Sequence, residues 1–261
     1  MEKEIHKLRY KSVRKANELI QQSRFDLSTQ QQKVVLYLIS QISPADEDFK
    51  MYEFDIVEFC KVCGIDYDSG RNYELIKQQI KKIADKSIWI KIENEETLLR
   101  WIEKPYINKK SGKIKIKLDE DMKPYLLQLK KNFTQYDLIF TLQFKSKYTI
   151  RLYELIKSIH YKELYAYKRY YTIEEIRTLL GVEEGKLEDF KNLKARVLVP
   201  AINEINRYSD KNIEAEWIKK GKKVVGVELT IMSKDSIDSL NVIVDIEKEM
   251  DGQLSFFDDK E

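Results

Sequence analysis

Two stretches decide the fold: "FDIVEFCKVCGI", residues 54–65, and "YTIEEIRTLLGV", residues 171–182. They share one pattern at an offset of 117 residues, and self-similarity at a fixed offset is the sequence mark of a duplicated unit. Asp55 falls on Thr172 as the residue that caps a helix start, Ile56 on Ile173, Phe59 on Ile176, and Gly64 on Gly181 as the stop. The register carries on without a gap: Tyr73, Ile76, Ile80 and Ala84 fall on Phe190, Leu193, Val197 and Ala201, spaced as one apolar helical face. Upstream, "VLYLI" (residues 35–39) is similar to the stretch around "RLYELI" (residues 151–156) near the same offset. Three coincidences in one order point to duplication rather than chance.

Each copy reads as helix, short capped helix, glycine turn, longer basic helix, then β-hairpin. In the first copy a helix begins near "LSTQQQKVVLYLISQI", with Ser28 and Gln31 spaced as a capping box, and "MYEFD" adds a short strand. "GRNYELIKQQIKKIADK" is the long helix, and the alternating "SIWIKI" and "KIKIKL" are read as the closing hairpin. In the second copy "SKYTIRLYELIKSIHY" and "KLEDFKNLKARVLVPAINEINRY" are the helices. Pro200 lacks a backbone donor and must kink the longer one or change its geometry. "NIEAEWIKKGKKVVGVELTIM" is the hairpin. The expected class is α+β: two tandem winged helix-turn-helix domains related by internal duplication, residues 1–130 and 131–232, joined by residues 119–141. An acidic tail, residues 233–261, follows.

Charge agrees with a polyanionic partner. Of a net +3, residues 233–261 hold three lysines against nine acids, so residues 1–232 carry +9, 44 basic against 35 acidic. A basic body with an acidic tail is the asymmetry of a nucleic-acid binder with an interaction segment. No apolar run reaches the roughly 20 residues of a membrane span, and the charged start lacks the apolar core of a signal peptide, so a cytoplasmic protein is expected.

In a helix-turn-helix the longer helix enters the major groove and its apolar stripe faces the core, so the outward face reads sequence. In the second copy Lys191, Asn192, Ala195, Arg196, Val199 and Asn203 face out, and Lys194 lies nearer the buried side, within reach of a phosphate. Basic and amide side chains suit guanine and adenine edges, and small apolar ones the thymine methyl. In the first copy the comparable residues are Arg71, Asn72, Gln78, Lys81 and Lys82. The hairpins add Lys113, Lys115 and Lys117 above Ile114, Ile116 and Leu118, and the cluster Lys219, Lys220, Lys222 and Lys223 around Gly221. Such rows give affinity and register rather than base choice.

Taken together, "SKYTIRLYELIKS", "NLKARVLVPAINEIN", "KNIEAEWIKKGKKVVGVELTI" and the opening "VRKANELIQQSRFDLSTQQQKVVLYLISQISP" resemble the iteron-binding plasmid replication initiators, over residues 11–232. The resemblance implies a monomer binding repeated origin sites with both domains, the second being the main reader through Lys191, Lys194 and Arg196. It also implies recruitment of host replication proteins, and in some relatives a homodimer through the first domain. Near the end, "QLSFF" (Gln253, Leu254, Ser255, Phe256, Phe257) is similar to the short peptide by which bacterial replication proteins dock on the sliding clamp. Phe256 stands where that peptide usually has leucine.

Enzymatic readings find little. The only cysteines, Cys60 and Cys63, fall at helix-inward positions beside Ile56 and Phe59, and no second pair completes a four-ligand zinc site. A nicking initiator needs paired histidines, whereas His6 and His160 stand far apart. "GVEEGK" is one residue short between its glycines for a phosphate loop, and Leu187 stands where Ser or Thr is required. No cofactor or metal is expected. The rival reading is a winged-helix transcriptional regulator with no part in replication, which the same DNA-binding residues would serve.

Overall fold

The computed structural model describes residues 2–63, 71–92, 95–108, 110–159 and 165–258; for residues 2, 3, 71, 72, 92 and 252–258 it describes the backbone alone. The first half runs α1 (Glu2–Arg9), β1 (Ser12–Ala16), α2 (Asn17–Gln22), β2 (Ser23–Arg24), α3 (Thr29–Ser40), β3 (Tyr52–Asp55), α4 (Ile56–Cys63), α5 (Arg71–Ala84), β4 (Ser87–Ile92), β5 (Glu95–Arg100), β6 (Tyr106–Asn108) and β7 (Lys113–Ile116). Then come α6 (Lys123–Leu126), β8 (Phe133–Asp137), α7 (Ile139–Leu142) and α8 (Lys147–Ser158). The second half holds β9 (Ala166–Thr172), α9 (Ile173–Leu179), α10 (Phe190–Leu193), a π-helical turn (Lys194–Leu198), α11 (Val199–Tyr208), β10 (Lys211–Lys220), β11 (Lys223–Ser233) and α12 (Ser236–Asp258). No helix among the described residues is long and apolar enough to cross a membrane.

The duplicated stretches fold alike. Asp55 Oδ1 accepts from the backbone N–H of Val57 at 2.7 Å at the start of α4. Thr172 Oγ1 accepts from the N–H of Glu175 at 3.1 Å while the Glu175 carboxylate accepts from the Thr172 N–H at 2.8 Å, a capping box on α9. Ser28 and Gln31 close the same box on α3. Such side chains satisfy helix N–H groups that have no partner within the helix. Gly181 ends α9 at φ +68°, where the left-handed backbone favours glycine, and a Cβ there would press on the Phe25 carbonyl at 3.1 Å. Gly64 lies outside the described residues.

Inward faces match the periodicity. Ile76, Ile80 and Ile83 of α5, and Leu193, Val197, Ala201 and Ile205 of the long helix of the second half, are buried. Pro200 is accommodated by the π-helical turn: Val199 N–H reaches back five residues to the Lys194 carbonyl, and the helix resumes. Cys60 and Cys63 are fully buried, and burial pushes the Cys63 thiol up to about 12, away from thiolate chemistry.

Two expectations are corrected, and one segment gains a conformation. "SIWIKI" does not pair with "KIKIKL": β4 pairs antiparallel with β5, from Ser87↔Arg100 to Ile92↔Glu95, while β7 lies between β3 and β6 in a separate sheet. Residues 119–141 are more than a joint, because β8 pairs with β1, Val13↔Tyr136, and so returns to the N-terminal strand. Most of the acidic tail is the helix α12: Ile246 and Met250 are fully buried, with Val242 and Ile243 packed against the core. That spacing is an apolar face, which the surplus of acids had obscured.

α8 stitches the halves together. One Arg151 Nη2 donates to the carbonyls of Ile20 and Ser23 at 3.2 Å each and of Leu179 at 3.0 Å, joining the first half to the end of α9. Lys15 Nζ lies 2.6 Å from Glu154, both buried, and Tyr136 Oη donates to Glu154 at 2.6 Å. Burial lowers the Lys15 pKa, with Glu154 opposing that shift. α12 adds a strap: Glu247 meets His6 Nδ1 and Tyr10 Oη at 2.8 Å, and Glu249 meets Arg207 at 2.6 Å.

Candidate nucleic-acid interface

The second-half long helix presents a coherent polar face. Lys191, Asn192, Ala195, Arg196 and Asn203 are exposed and Val199 is half-buried, as their spacing requires. Asp189 caps the helix by accepting from the Lys191 N–H at 2.8 Å, which leaves the Lys191 side chain in solvent. Lys194 is half-buried with its ammonium 4.6 Å from the centre of the Trp217 ring on β10. That cation–π contact parks Lys194 between helix and hairpin, beside the exposed polar face rather than on it.

The β10–β11 hairpin turns at Gly221, φ +62°, with Lys220 opposite Lys223. Lys219, Lys220, Lys222 and Lys223 are all exposed. None of these four, nor Lys191 or Arg196, forms an ion pair among the described residues. A cluster of like charges with no internal partner raises the local positive potential and is costly until an anion arrives. Helix face and lysine tip belong to one continuous unit, since Phe190 packs edge-on against Trp217 with centroids 5.6 Å apart.

The first half is less complete. Gln78, Lys81 and Lys82 are exposed on α5, and Lys81 is held by Asp85 at 2.6 Å. The side chains of Arg71 and Asn72 lie outside the described residues. Lys113 and Lys115 do stand above buried Ile114 and Ile116, yet both pair with Glu53, at 2.8 and 3.0 Å. Lys117 pairs with Glu103 and Glu120. Those lysines are engaged by local carboxylates and lie on or beside the β3–β7–β6 sheet, apart from the β4–β5 hairpin, whose end carries Glu95 and Glu96. The side chains of Gln253, Leu254, Ser255, Phe256 and Phe257 lie outside the described residues; the backbone there continues α12.

Two features escaped the sequence reading. Leu75 is exposed on α5, one turn from Gln78, and presents an apolar group on the outward face. Arg151, Glu154 and Lys15, which fix one helical reader relative to the other, carried a usable signal: charges on the inward side of otherwise apolar elements.

Against known proteins, residues 12–157 match the family described as Initiator Replication protein, WH1, and residues 172–231 match Initiator Rep protein, WH2. The chain is 25% identical over 217 residues to a "Replication initiation protein" of Escherichia coli, across 80% of this chain and 66% of that protein, just under two thirds of its length. Among solved structures it is similar to the Pi initiator protein in complex with iteron DNA, at TM-score 0.71 and 19% identity, across 87% of this chain and 99% of that one.

Proposed function

Because the chain belongs to the initiator replication protein family, its WH1 and WH2 parts together spanning most of the length, we propose that it binds directly repeated sequences at a plasmid origin and nucleates replication there. The second half reads bases through Lys191, Asn192, Arg196 and Asn203, and the lysines at 219, 220, 222 and 223 grip the flanking phosphates. The first half holds the adjoining stretch through α5, with Gln78 and Lys82 foremost and Arg71 and Asn72 at its start. One observation carries the reading: Lys191, Arg196 and the hairpin lysines 219, 220, 222 and 223 are exposed and form no ion pair among the described residues, whereas the lysines at 113, 115 and 117 do.

No catalytic step is needed. Binding alone positions origin DNA, and host proteins supply the enzymes. The host replication machinery is therefore the further partner, with the sliding clamp reached through Gln253, Leu254, Ser255, Phe256 and Phe257: a few apolar anchors on a polar segment suffice for such docking. A second copy joined through the first half, and residence in the cytoplasm where plasmid DNA lies, complete the reading. The alternative, a transcriptional regulator, would use the same DNA face without the clamp peptide.

Selection of bound duplexes from a random pool tests this. The expected product is an asymmetric sequence spanning about two turns of duplex, one for each domain. Absence of any enriched sequence would overturn the proposal, and an inverted repeat would favour the regulator.

A further inference from the structure

Among the described residues, two apolar patches stand exposed away from the candidate DNA-reading helices. On β4–β5, Trp89 and Leu98 are direct cross-strand partners and are 52% and 50% exposed. Arg24 of β2 lies opposite Trp89, and the same outward face carries Lys91, Arg100 and Glu96, for a net +2. On α12, Ile237, Leu240 and Val244 are 71%, 60% and 44% exposed and recur at i, i+3 and i+7. They form a stripe turned away from the buried side of Ile246 and Met250. The exposed charges beside that stripe are Asp235, Asp238, Asp245 and Lys248, a net −2. None of Arg24, Lys91, Arg100, Asp238 and Asp245 forms an ion pair among the described residues.

Neither patch is self-complementary in charge: two strand faces would oppose cations, two helices carboxylates. Placed on one another, the strand face and the helix stripe match in sign. They also match in length, the stripe running about 10 Å and the strand face from Ser87 to Lys91 about 13 Å. Copies bound to direct repeats are related by a step along the duplex rather than by a two-fold axis, so a contact between neighbours must join two different surfaces. We propose that the α12 stripe of one copy docks on the β4–β5 face of the copy at the next repeat. This rests on the reading of the protein as a binder of direct repeats.

Five apolar side chains make a small interface, below the roughly 1,200 Å² of stable complexes. Such copies stay apart in free solution and meet when DNA supplies the effective concentration. The expected coupling is about tenfold between adjacent sites, within the ordinary range of coupled binding.

The test uses the full chain on duplexes bearing one copy, or two in direct repeat, of the sequence recovered by selection. Wild type is expected to fill the second site about tenfold more tightly than the first. Leu240→Glu and Leu98→Glu, at positions already half or more exposed, are expected to bind a single repeat as wild type does and to fill two repeats independently. Asp238→Lys/Asp245→Lys, which leaves the apolar residues in place, should lose the coupling as well. An equal mixture of Leu240→Glu and Leu98→Glu is expected to regain part of it, because one order on the duplex sets the intact helix against the intact strand face. Wild type filling two repeats independently would overturn this proposal alone, as would a mixture that regains nothing, or a variant that loses single-repeat affinity. Wild type failing on a single repeat would overturn the reading of function beneath it.

Discussion

Replacing Lys222 and Lys223 with alanine removes two exposed cations from the tip of the β10–β11 hairpin, where no carboxylate answers them. If each neutralises one phosphate, each contributes about 0.9 to the slope of log affinity against log salt. Between 50 and 200 mM salt one such contact costs about 3.5-fold in affinity, so two cost about twelvefold. The double variant should therefore bind more weakly than wild type at low salt, and its disadvantage should shrink about twelvefold by 200 mM. The matched control is Lys113→Ala/Lys115→Ala, because both lysines of that pair are already engaged by Glu53, at 2.8 and 3.0 Å. Its slope should change less than that of the hairpin variant. Fluorescence anisotropy across a salt series measures both, on the preferred sequence and on a scrambled one. Equal slope changes in the two variants would refute the argument that uncompensated charge marks the interface. A loss confined to the preferred sequence would show that the hairpin reads bases.

Arg196→Ala should cost roughly 1–3 kcal/mol on the preferred sequence and relax choice at one position, with little effect on scrambled DNA, as competition binding would report. Lys15→Met leaves Glu154 buried without its cation and should destabilise the protein by about 3–5 kcal/mol in denaturant unfolding, whereas Lys15→Met/Glu154→Leu should recover most of that. Asp210 is mostly buried, which raises its pKa, but Lys157 at 2.7 Å and the Tyr153 hydroxyl at 2.8 Å outweigh burial and hold it below the usual carboxylate range. A depressed carboxylate contributes stability that is present above its unfolded pKa and lost as pH falls through the folded one. Asp210→Asn should therefore be less stable at neutral pH yet lose less between about pH 4 and the acid limit, measured as unfolding midpoints across that window.

Local chemistry was legible and long-range pairing was not. The caps at Ser28, Asp55 and Thr172, the turn at Gly181 and the inward set Leu193, Val197 and Ala201 each follow from residues within one or two helical turns. The exposed face from Lys191 to Asn203 followed by subtraction. Which strand "SIWIKI" would choose depended on partners far apart in sequence, and "KIKIKL" alternates more cleanly than "EETLLR", whose Leu98 faces outward. Alternation marks a strand's faces, not its neighbour. In α12 the interspersed acids drew attention to net charge, while Val242, Ile246 and Met250 recorded a helix at four-residue spacing. Arg151 on the inward side of an apolar helix signalled a buried charge, but its acceptors are backbone carbonyls, so the sequence did not say which segments it would join.

Methylation protection on selected repeats, taken one at a time with the full chain bound, tests the account where it is most exposed. Two helical readers held rigidly by α8 should protect guanine N7 positions in two major-groove tracts on one face of the duplex, about one turn apart. Arg196→Ala should erase contacts in one tract alone. A single protected tract, or two tracts whose separation varies from repeat to repeat, would contradict a paired reading unit.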